Sequence, residues 1–307
     1  MNPAAFHATR PEDLGLPLMT AYAQAEQDGV SVFRIELDPI DYGRDPVQLQ
    51  PLDLPPKMAV EMVAARGPAT LHAAISIDAS SIRLAGVVLD APEFPASAII
   101  LRAVDRIEVD GVAVIGARSS DVRSDDPLVQ WVALGPATSV VARRLWLVDN
   151  ALAGRGPILV TQNVGRGRFG TAEIEKSVFA GNSASIGIRT YSAKAITLRS
   201  FAALEPGLRT TWLDIGSPET RISLAEGVVA TPKLAGFDLE PGEKLSAFPA
   251  IEAKAIEFRG PTKKDHVHAD GGSFGPLAKT PADWKFAADP ARRLGEPDVA
   301  ALAAALE

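Results

Sequence analysis

The chain of 307 residues is 47% apolar, carries a formal net charge of -7 and contains no cysteine. This apolar content is enough for a sizeable core in one elongated or two compact domains, and it excludes a largely disordered chain. The negative charge and the dispersed Lys and Arg residues argue against a nucleic-acid partner, and the lack of cysteine excludes disulfides, thiolate nucleophiles and cysteine metal sites.

The N-terminal residues MNPAAFHATRPEDLGLP lack the basic start and the apolar run of a signal peptide. We therefore predict synthesis in the cytoplasm without classical secretion. The most apolar runs, ASAIILRAV and DVAALAAALE, are far shorter than the roughly 20 residues of a membrane-spanning helix. The sequence thus predicts no membrane insertion.

A pattern of four apolar positions recurs through the middle of the chain. If the first residue of each copy is position 0, the inward side chains fall at positions 0, 2, 5 and 7. Each copy follows a second short apolar strand, such as VQWVAL or PILVTQ. Alternating strands that repeat with this period, joined by Gly, Pro, Asp and Asn turns, are typical of a parallel β-helix, in which each coil buries its inward side by stacking on its neighbours. The six copies begin at Ile82, Ile107, Val140, Ala172, Ile196 and Ile222.

The main alternative is a doubly wound α/β fold, which needs amphipathic helices between its strands. Between residues 70 and 230 almost no segment has the helical period. The repeat, with LWLVDN and IEKSVFAGN as strands that lead into an Asn-bearing turn, resembles the pectate-lyase-like superfold. That superfold, a right-handed parallel β-helix, is shared by polysaccharide lyases, glycosidases and phage tailspikes.

This resemblance implies an all-β chain with a single right-handed parallel β-helix of roughly eight coils over residues 28–260. By the same resemblance, the segment 1–27 holds a helix that caps the first coil. Residues 261–307 read as an irregular, extended arm that ends in a short helix.

The segment GRGRFG at residues 165–170 fits the dinucleotide fingerprint G-x-G-x-x-G. A true fingerprint opens a helix, whereas the residues that follow fall into the strand template. We therefore interpret Gly165, Gly167 and Gly170 as a turn between two strands and expect no cofactor.

Template position 3 points outward, and its charged members alternate in sign along the predicted stack. Opposite charges about 4.8 Å apart stabilise each other, which favours a structural ladder. The alternative is catalytic: a polysaccharide lyase or glycoside hydrolase that uses Asp110, Glu175 and Arg143, with Glu108, Glu173, Asp149, Arg144 and Arg199 nearby. The lyase motifs of the superfold are missing, so an enzyme is the less favoured reading. The column comprises Ala85, Asp110, Arg143, Glu175, Arg199 and Ala225.

Template position 6 also points outward, yet it is apolar in every copy. A continuous apolar stripe on a surface commonly marks a contact with a partner. We predict an interface between copies of this chain, and by resemblance to phage spikes a homotrimer; cover by the loop near 117–127 or by the C-terminal segment is the alternative. The predicted interface residues are Val88, Ala113, Trp146, Val178 and Val228, with Ala202 in the same column.

Two further patterns suggest sites. Asn150 and Asn182 share a turn position and are interpreted as an internal hydrogen-bond ladder. His266 and His268, in the segment DHVH, are a weak candidate for a metal site, with a solvated loop as the alternative.

The sequence therefore predicts a non-catalytic structural and binding component of a phage or phage-like particle, a spike that attaches to a cell-surface polysaccharide. Its partners would be copies of itself, other particle proteins and that polysaccharide. The alternatives are the carbohydrate-active enzyme and a cytoplasmic scaffold that polymerises through the stripe.

Overall fold

The chain forms a parallel β-solenoid of about eight turns, as the sequence predicted. The computed structural model describes residues 4–94, 96–119, 121–165, 167–191, 193–205, 207–216, 220–231, 235–237, 251–258 and 285–286. Nineteen strands join in one sheet, two short strands pair beside it, and all of these pairings are parallel. A right-handed turn is the sense that parallel crossovers take.

Within the described residues, one α-helix and one short 3-10 helix accompany the strands. The 3-10 helix is Pro11–Leu14 and the α-helix, α1, is Leu16–Gln27. The strands are β1 Ala4–Ala8, β2 Val32–Leu37, β3 Val47–Leu49, β4 Ala59–Val63, β5 Ala69–Ala73, β6 Ile75–Ala85, β7 Val87–Glu93, β8 Ile99–Ile115, β9 Arg118–Ser119, β10 Val129–Ala133, β11 Thr138–Val148, β12 Ala151–Leu152, β13 Pro157–Asn163, β14 Phe169–Ala180, β15 Ile186–Thr190, β16 Ala193–Leu204, β17 Thr211–Ile215, β18 Arg221–Ala230, β19 Ala235–Phe237, β20 Ile251–Phe258 and β21 Lys285–Phe286.

Each coil has three walls, which β8 illustrates because it runs through all of them. Residues 99–103 pair within wall C, residues 107–110 within wall A and residues 113–115 within wall B. Walls A and B contain template positions 0 to 3 and 5 to 8. Wall C contains the preceding short strands, including β10, β13, β15 and β17.

The predicted register is confirmed across the template. Position 0 pairs Ile82, Ile107, Val140, Ala172, Ile196 and Ile222 in unbroken succession. On wall A, the alternation of apolar and polar residues favours this register, because a shift by one residue would turn the buried side chains outward.

The corner between walls A and B is a single residue with positive φ in every template copy. Only glycine adopts this backbone without cost, yet four coils place a residue with a side chain there. The six residues at this position 4 are Gly86, Gly111, Arg144, Lys176, Ser200 and Glu226, with φ between 48° and 69°.

The interior is filled by the inward side chains of all three walls. Trp212 stacks on Phe201 with ring centroids 5.5 Å apart and meets Phe179 edge-on at 6.4 Å. The chain makes room for this indole with Gly187, where a Cβ would lie 2.4 Å from Trp212 Cδ1. The aromatic residues of neighbouring coils therefore form one packed layer.

The N-terminal end is closed by α1, which buries Leu18 and Tyr22. The Tyr22 ring meets Phe33 of β2 edge-on at 5.6 Å, so the helix packs on the first coil as the sequence predicted. The sequence did not predict β1, which precedes α1 and pairs in parallel with β2. In the predicted arm 261–307, the described residues are those of β21. No helix in the described part of the chain is long and apolar enough to span a bilayer.

Candidate functional site

The outward charges of template position 3 lie in the predicted column. Asp110 pairs in register with Arg143, which pairs with Glu175 on the next coil. Arg143 Nε lies 3.5 Å from Glu175 Oε2, and Arg144 Nη2 lies 2.8 Å from Asp110 Oδ1. Asp110 and Glu175 are thus two coils apart, about 10 Å between Cα atoms, with a guanidinium between them.

A second charged column of wall A was missed in the sequence, although the same template contains it at position 1. There Arg34, Glu61, Arg83 and Glu108 follow one another in register. Arg34 Nη1 lies 3.5 Å from Glu61 Oε2. Position 1 carries the alternating charges in the N-terminal coils, up to Glu108, and position 3 carries them in the following coils, from Asp110 to Arg199, which is the arrangement of a structural ladder along wall A.

The other candidate carboxylates of the enzyme alternative are spread over the surface. Glu108 pairs with Arg106 at 3.4 Å, and Asp149 pairs with Arg118 at 3.0 Å at the far corner of wall B. Glu173 is exposed on wall A and pairs in register with Val141. No group of three His, Asp or Glu residues within the described ranges could hold a metal ion. His266 and His268 lie outside the described residues.

The apolar residues of template position 6 also lie in one column, from Val88 through Trp146 to Val228. Ala113, Val178 and Ala202 are buried, whereas Val88 and Trp146 are partly exposed. Position 8 adds a parallel apolar column on the same outer face. Together they form a second apolar cluster, separate from the interior core, that comprises Trp146, Val148, Val178, Ala180, Ala202 and Leu204.

The predicted asparagine ladder is confirmed. Asn150 Nδ2 donates to Val114 O at 3.0 Å and to Asn182 Oδ1 at 2.8 Å, and Asn182 Nδ2 donates to Leu147 O at 2.7 Å. The ladder continues to Glu205, a fully buried carboxyl that the sequence did not single out. Burial raises the pKa of Glu205 to about 8, against hydrogen bonds from Asn182 that lower it.

Near the N-terminal end, His72 connects three coils. Its Nδ1 lies 2.5 Å from Asp90 O and its Nε2 lies 3.2 Å from Asp41 Oδ2. The Asp90 carbonyl, and then the Asp41 carboxylate, raise the pKa of the His72 ring above its usual value. Since each ring nitrogen has a hydrogen-bond partner on another coil, the His72 side chain links its own coil to those of Asp90 and Asp41.

On wall C, an aromatic ring and a charged pair share the surface. Arg189 Nε donates to Asp214 Oδ2 at 2.6 Å, and the guanidinium carbon lies 5.6 Å from the centroid of the Tyr191 ring. Tyr191 is 42% exposed. These residues lie outside the sequence template, which covers walls A and B, so the sequence pattern did not indicate them.

The GRGRFG segment connects β13 to β14, as the turn interpretation predicted. Gly165 has a φ of +60° and lies with Gly167 between the two strands, while Gly170 already belongs to β14. A Cβ on Gly167 would lie 2.1 Å from Ala133 O, which explains the glycine by close coil packing. The residues that follow form a paired strand, whereas a dinucleotide loop requires a helix there.

Comparison of the chain with protein-family models, curated proteins and solved structures finds no match.

Proposed function

We propose that the protein is a non-catalytic structural and binding component, a spike of a phage or phage-like particle that attaches to a cell-surface polysaccharide. The observation that carries this proposal is the outward apolar column at position 6 of wall B, in which Val88 and Trp146 remain partly exposed although Ala113, Val178 and Ala202 are already buried. An elongated solenoid with one apolar outer wall beside a wall of paired charges is suited to side-by-side assembly.

The contact would involve Trp146 and Val88 first, because these two members of the column remain partly exposed. A large aromatic anchor at the centre of an apolar patch is typical of interface hot spots. By resemblance to phage spikes, the proposed form is a homotrimer, in which three copies pack through wall B and bury the remaining exposed area of the column. The particle would assemble in the cytoplasm, where we propose that the chain is made.

The charged surface of wall A supports a non-catalytic role. A general acid or nucleophile needs a carboxyl that is free to approach a substrate, whereas Asp110 and Glu175 each lie within 4 Å of an arginine nitrogen. These pairs explain both carboxylates by coil stacking. The enzyme alternative, with Asp110, Glu175 and Arg143, needs those pairs to open.

For the polysaccharide, wall C offers Tyr191, whose ring is exposed beside Arg189. Ligand sites commonly combine an aromatic face with a few fixed polar groups, and this patch has that composition. We therefore propose that Tyr191 contributes to glycan attachment. Replacement of Tyr191 by Ala should weaken retention of the protein on an immobilised acidic polysaccharide.

The test of assembly is the solution mass of the full chain, measured by light scattering. We expect the mass of three chains for the wild type and of one chain for Trp146→Glu. Val164→Glu is the matched control, because Val164 is exposed on the turn after β13, away from wall B. A wild type that is monomeric at every concentration, or a Trp146→Glu protein that stays trimeric, contradicts the proposed interface.

A further inference from the structure

One interior column of wall C contains polar side chains among apolar neighbours. Trp131, Thr161 and Thr190 follow one another in register on three successive coils, and each is almost fully buried. The coil below contributes Leu101 to this column and the coil above contributes Ile215. The polar stretch is therefore confined to the middle of the solenoid.

The three polar atoms of this stretch have no hydrogen-bond partner in the described part of the chain. They are Trp131 Nε1, Thr161 Oγ1 and Thr190 Oγ1, and each has almost no exposed surface. A buried donor or hydroxyl without a partner destabilises the folded state, and native proteins rarely leave such groups unpaired. Because the three groups are stacked in one column, hydrogen-bond partners of the same kind, placed between the coils, would satisfy all of them.

Consecutive coils are spaced by about 4.8 Å, which is too far for a direct hydrogen bond between equivalent atoms of the two threonines. A water oxygen at about 2.8 Å from each hydroxyl spans that distance.

We propose that the solenoid interior binds ordered water at this column. One water molecule bridges Thr161 Oγ1 and Thr190 Oγ1, and the Trp131 indole N–H donates to a second water bound to Thr161. Buried waters with two to four such contacts are integral parts of protein interiors. The column is thus an internal water site on wall C, separate from the buried ladder of Asn150, Asn182 and Glu205.

The direct test is a crystal structure of the full chain at a resolution that reveals ordered water. We expect a solvent peak within 3.2 Å of both threonine hydroxyls, at about the hydrogen-bond limit. If the interior has no such peak, or if both hydroxyls turn to a wall carbonyl, the proposal is wrong.

A stability test uses Thr161→Val, which keeps the shape of the side chain and removes its hydroxyl. If water occupies the site, Thr161→Val leaves that water without one of its hydrogen-bond partners, and the urea midpoint of unfolding falls. The control is Thr138→Val, which removes a buried hydroxyl with known partners, Ala103 O at 3.2 Å and Val104 O at 2.8 Å, and must also lower the midpoint. A rise of the midpoint in Thr161→Val, with a fall in the control, overturns the proposal because removal of an unpaired hydroxyl stabilises.

Discussion

Glu205 Oε1 lies 2.5 Å from Asn182 Nδ2, and Glu205 Oε2 accepts the backbone N–H of Asn182, so that a buried carboxyl ends the asparagine ladder. Its pKa rises from 4.5 to about 8 on folding, because desolvation outweighs these hydrogen bonds. Between these two pH values the folded chain binds a proton that the unfolded chain has released. The contribution of Glu205 to stability is therefore fully present below pH 4.5 and is lost as the pH rises to about 8.

We predict that Glu205→Gln flattens this pH dependence and gains stability over the wild type as the pH rises. The neutral amide has no proton to lose. Because both Glu205 oxygens accept N–H groups of Asn182, the amide NH2 meets one of these donors, which lowers the urea midpoint by a similar amount at every pH. Urea midpoints measured from pH 4 to pH 9 would check this. Glu173→Gln, an exposed position, should leave the profile unchanged, and an unaltered slope in Glu205→Gln would show that this carboxyl does not titrate in that window.

The raised pKa of His72 gives the folding stability a second pH dependence of the same sign as that of Glu205. The folded pKa of His72 is raised above 6.5. The contacts of His72 with Asp90 and Asp41 therefore contribute their full share of the folding stability below pH 6.5, and this contribution is lost as the pH rises through the folded pKa. An NMR titration of the ring should give a midpoint above 6.5 in the wild type.

The matched variant is Asp41→Asn, which removes the charge next to His72 Nε2 and leaves the Asp90 carbonyl in place. The His72 midpoint should fall in this variant. An identical midpoint in both proteins would contradict the contribution of Asp41.

Two glycines of the corner between walls A and B provide a matched pair. Gly86 and Gly111 have φ of +69° and +63°, but a Cβ on Gly86 would lie 2.6 Å from Ala64 O, whereas at Gly111 the nearest atom is 3.8 Å away. Gly111→Ala adds only backbone strain and should lower the free energy of unfolding by about 1–2 kcal/mol.

Gly86→Ala adds a collision with the backbone to the same strain, so its loss should exceed about 2 kcal/mol. Urea unfolding of both variants would check this order. Ser200→Gly is the control, because it removes a Cβ at the same corner position and should cause no comparable loss. Equal losses in the two alanine variants would mean that the coil spacing adapts at Gly86.

Variants in the charged column of wall A distinguish the structural from the catalytic interpretation of its carboxylates. Glu175→Gln should lower the free energy of unfolding by less than about 1 kcal/mol, since the Arg143 pair is largely exposed to solvent. We also expect the wild type to leave acidic polysaccharides uncut in an assay of product length. Cleavage by the wild type that is lost in Asp110→Asn and Glu175→Gln at unchanged stability would instead establish the enzyme alternative.

The register of walls A and B could be predicted from sequence because the inward positions 0, 2, 5 and 7 recur with the same spacing in every copy, from Ile82 to Val229. The corner at position 4 could not be predicted in full. Glycine marks it at Gly86 and Gly111, whereas Arg144 and Lys176 adopt the same backbone because their coils are held by pairing on both sides.

The polar interior was predicted only where two coils repeat the same residue. Asn150 and Asn182 share a template position, but Glu205 stands one position earlier in its own coil and carries a different side chain. In the four preceding copies position 9 has a positive φ, at Ala91, Gly116, Asp149 and Gly181, whereas Glu205 does not have this backbone, so that the turn after β16 takes a different path. A sequence repeat indicates only residues that recur at the same template position, so it did not indicate Glu205.

The single-residue bend between walls A and B limits how the length of this chain can change. Template copies begin 24 to 33 residues apart, yet this bend never varies, so the differences are confined to the other turns. An extra residue after Arg143 would turn Leu145 and Leu147 outward and Trp146 inward. Between Asp121 and Asp126 most side chains are exposed, but Ser124 O accepts the Arg155 N–H and would lie 1.9 Å from a Cβ on Gly154, so a foreign peptide grafted into this turn must preserve its contact with the next coil.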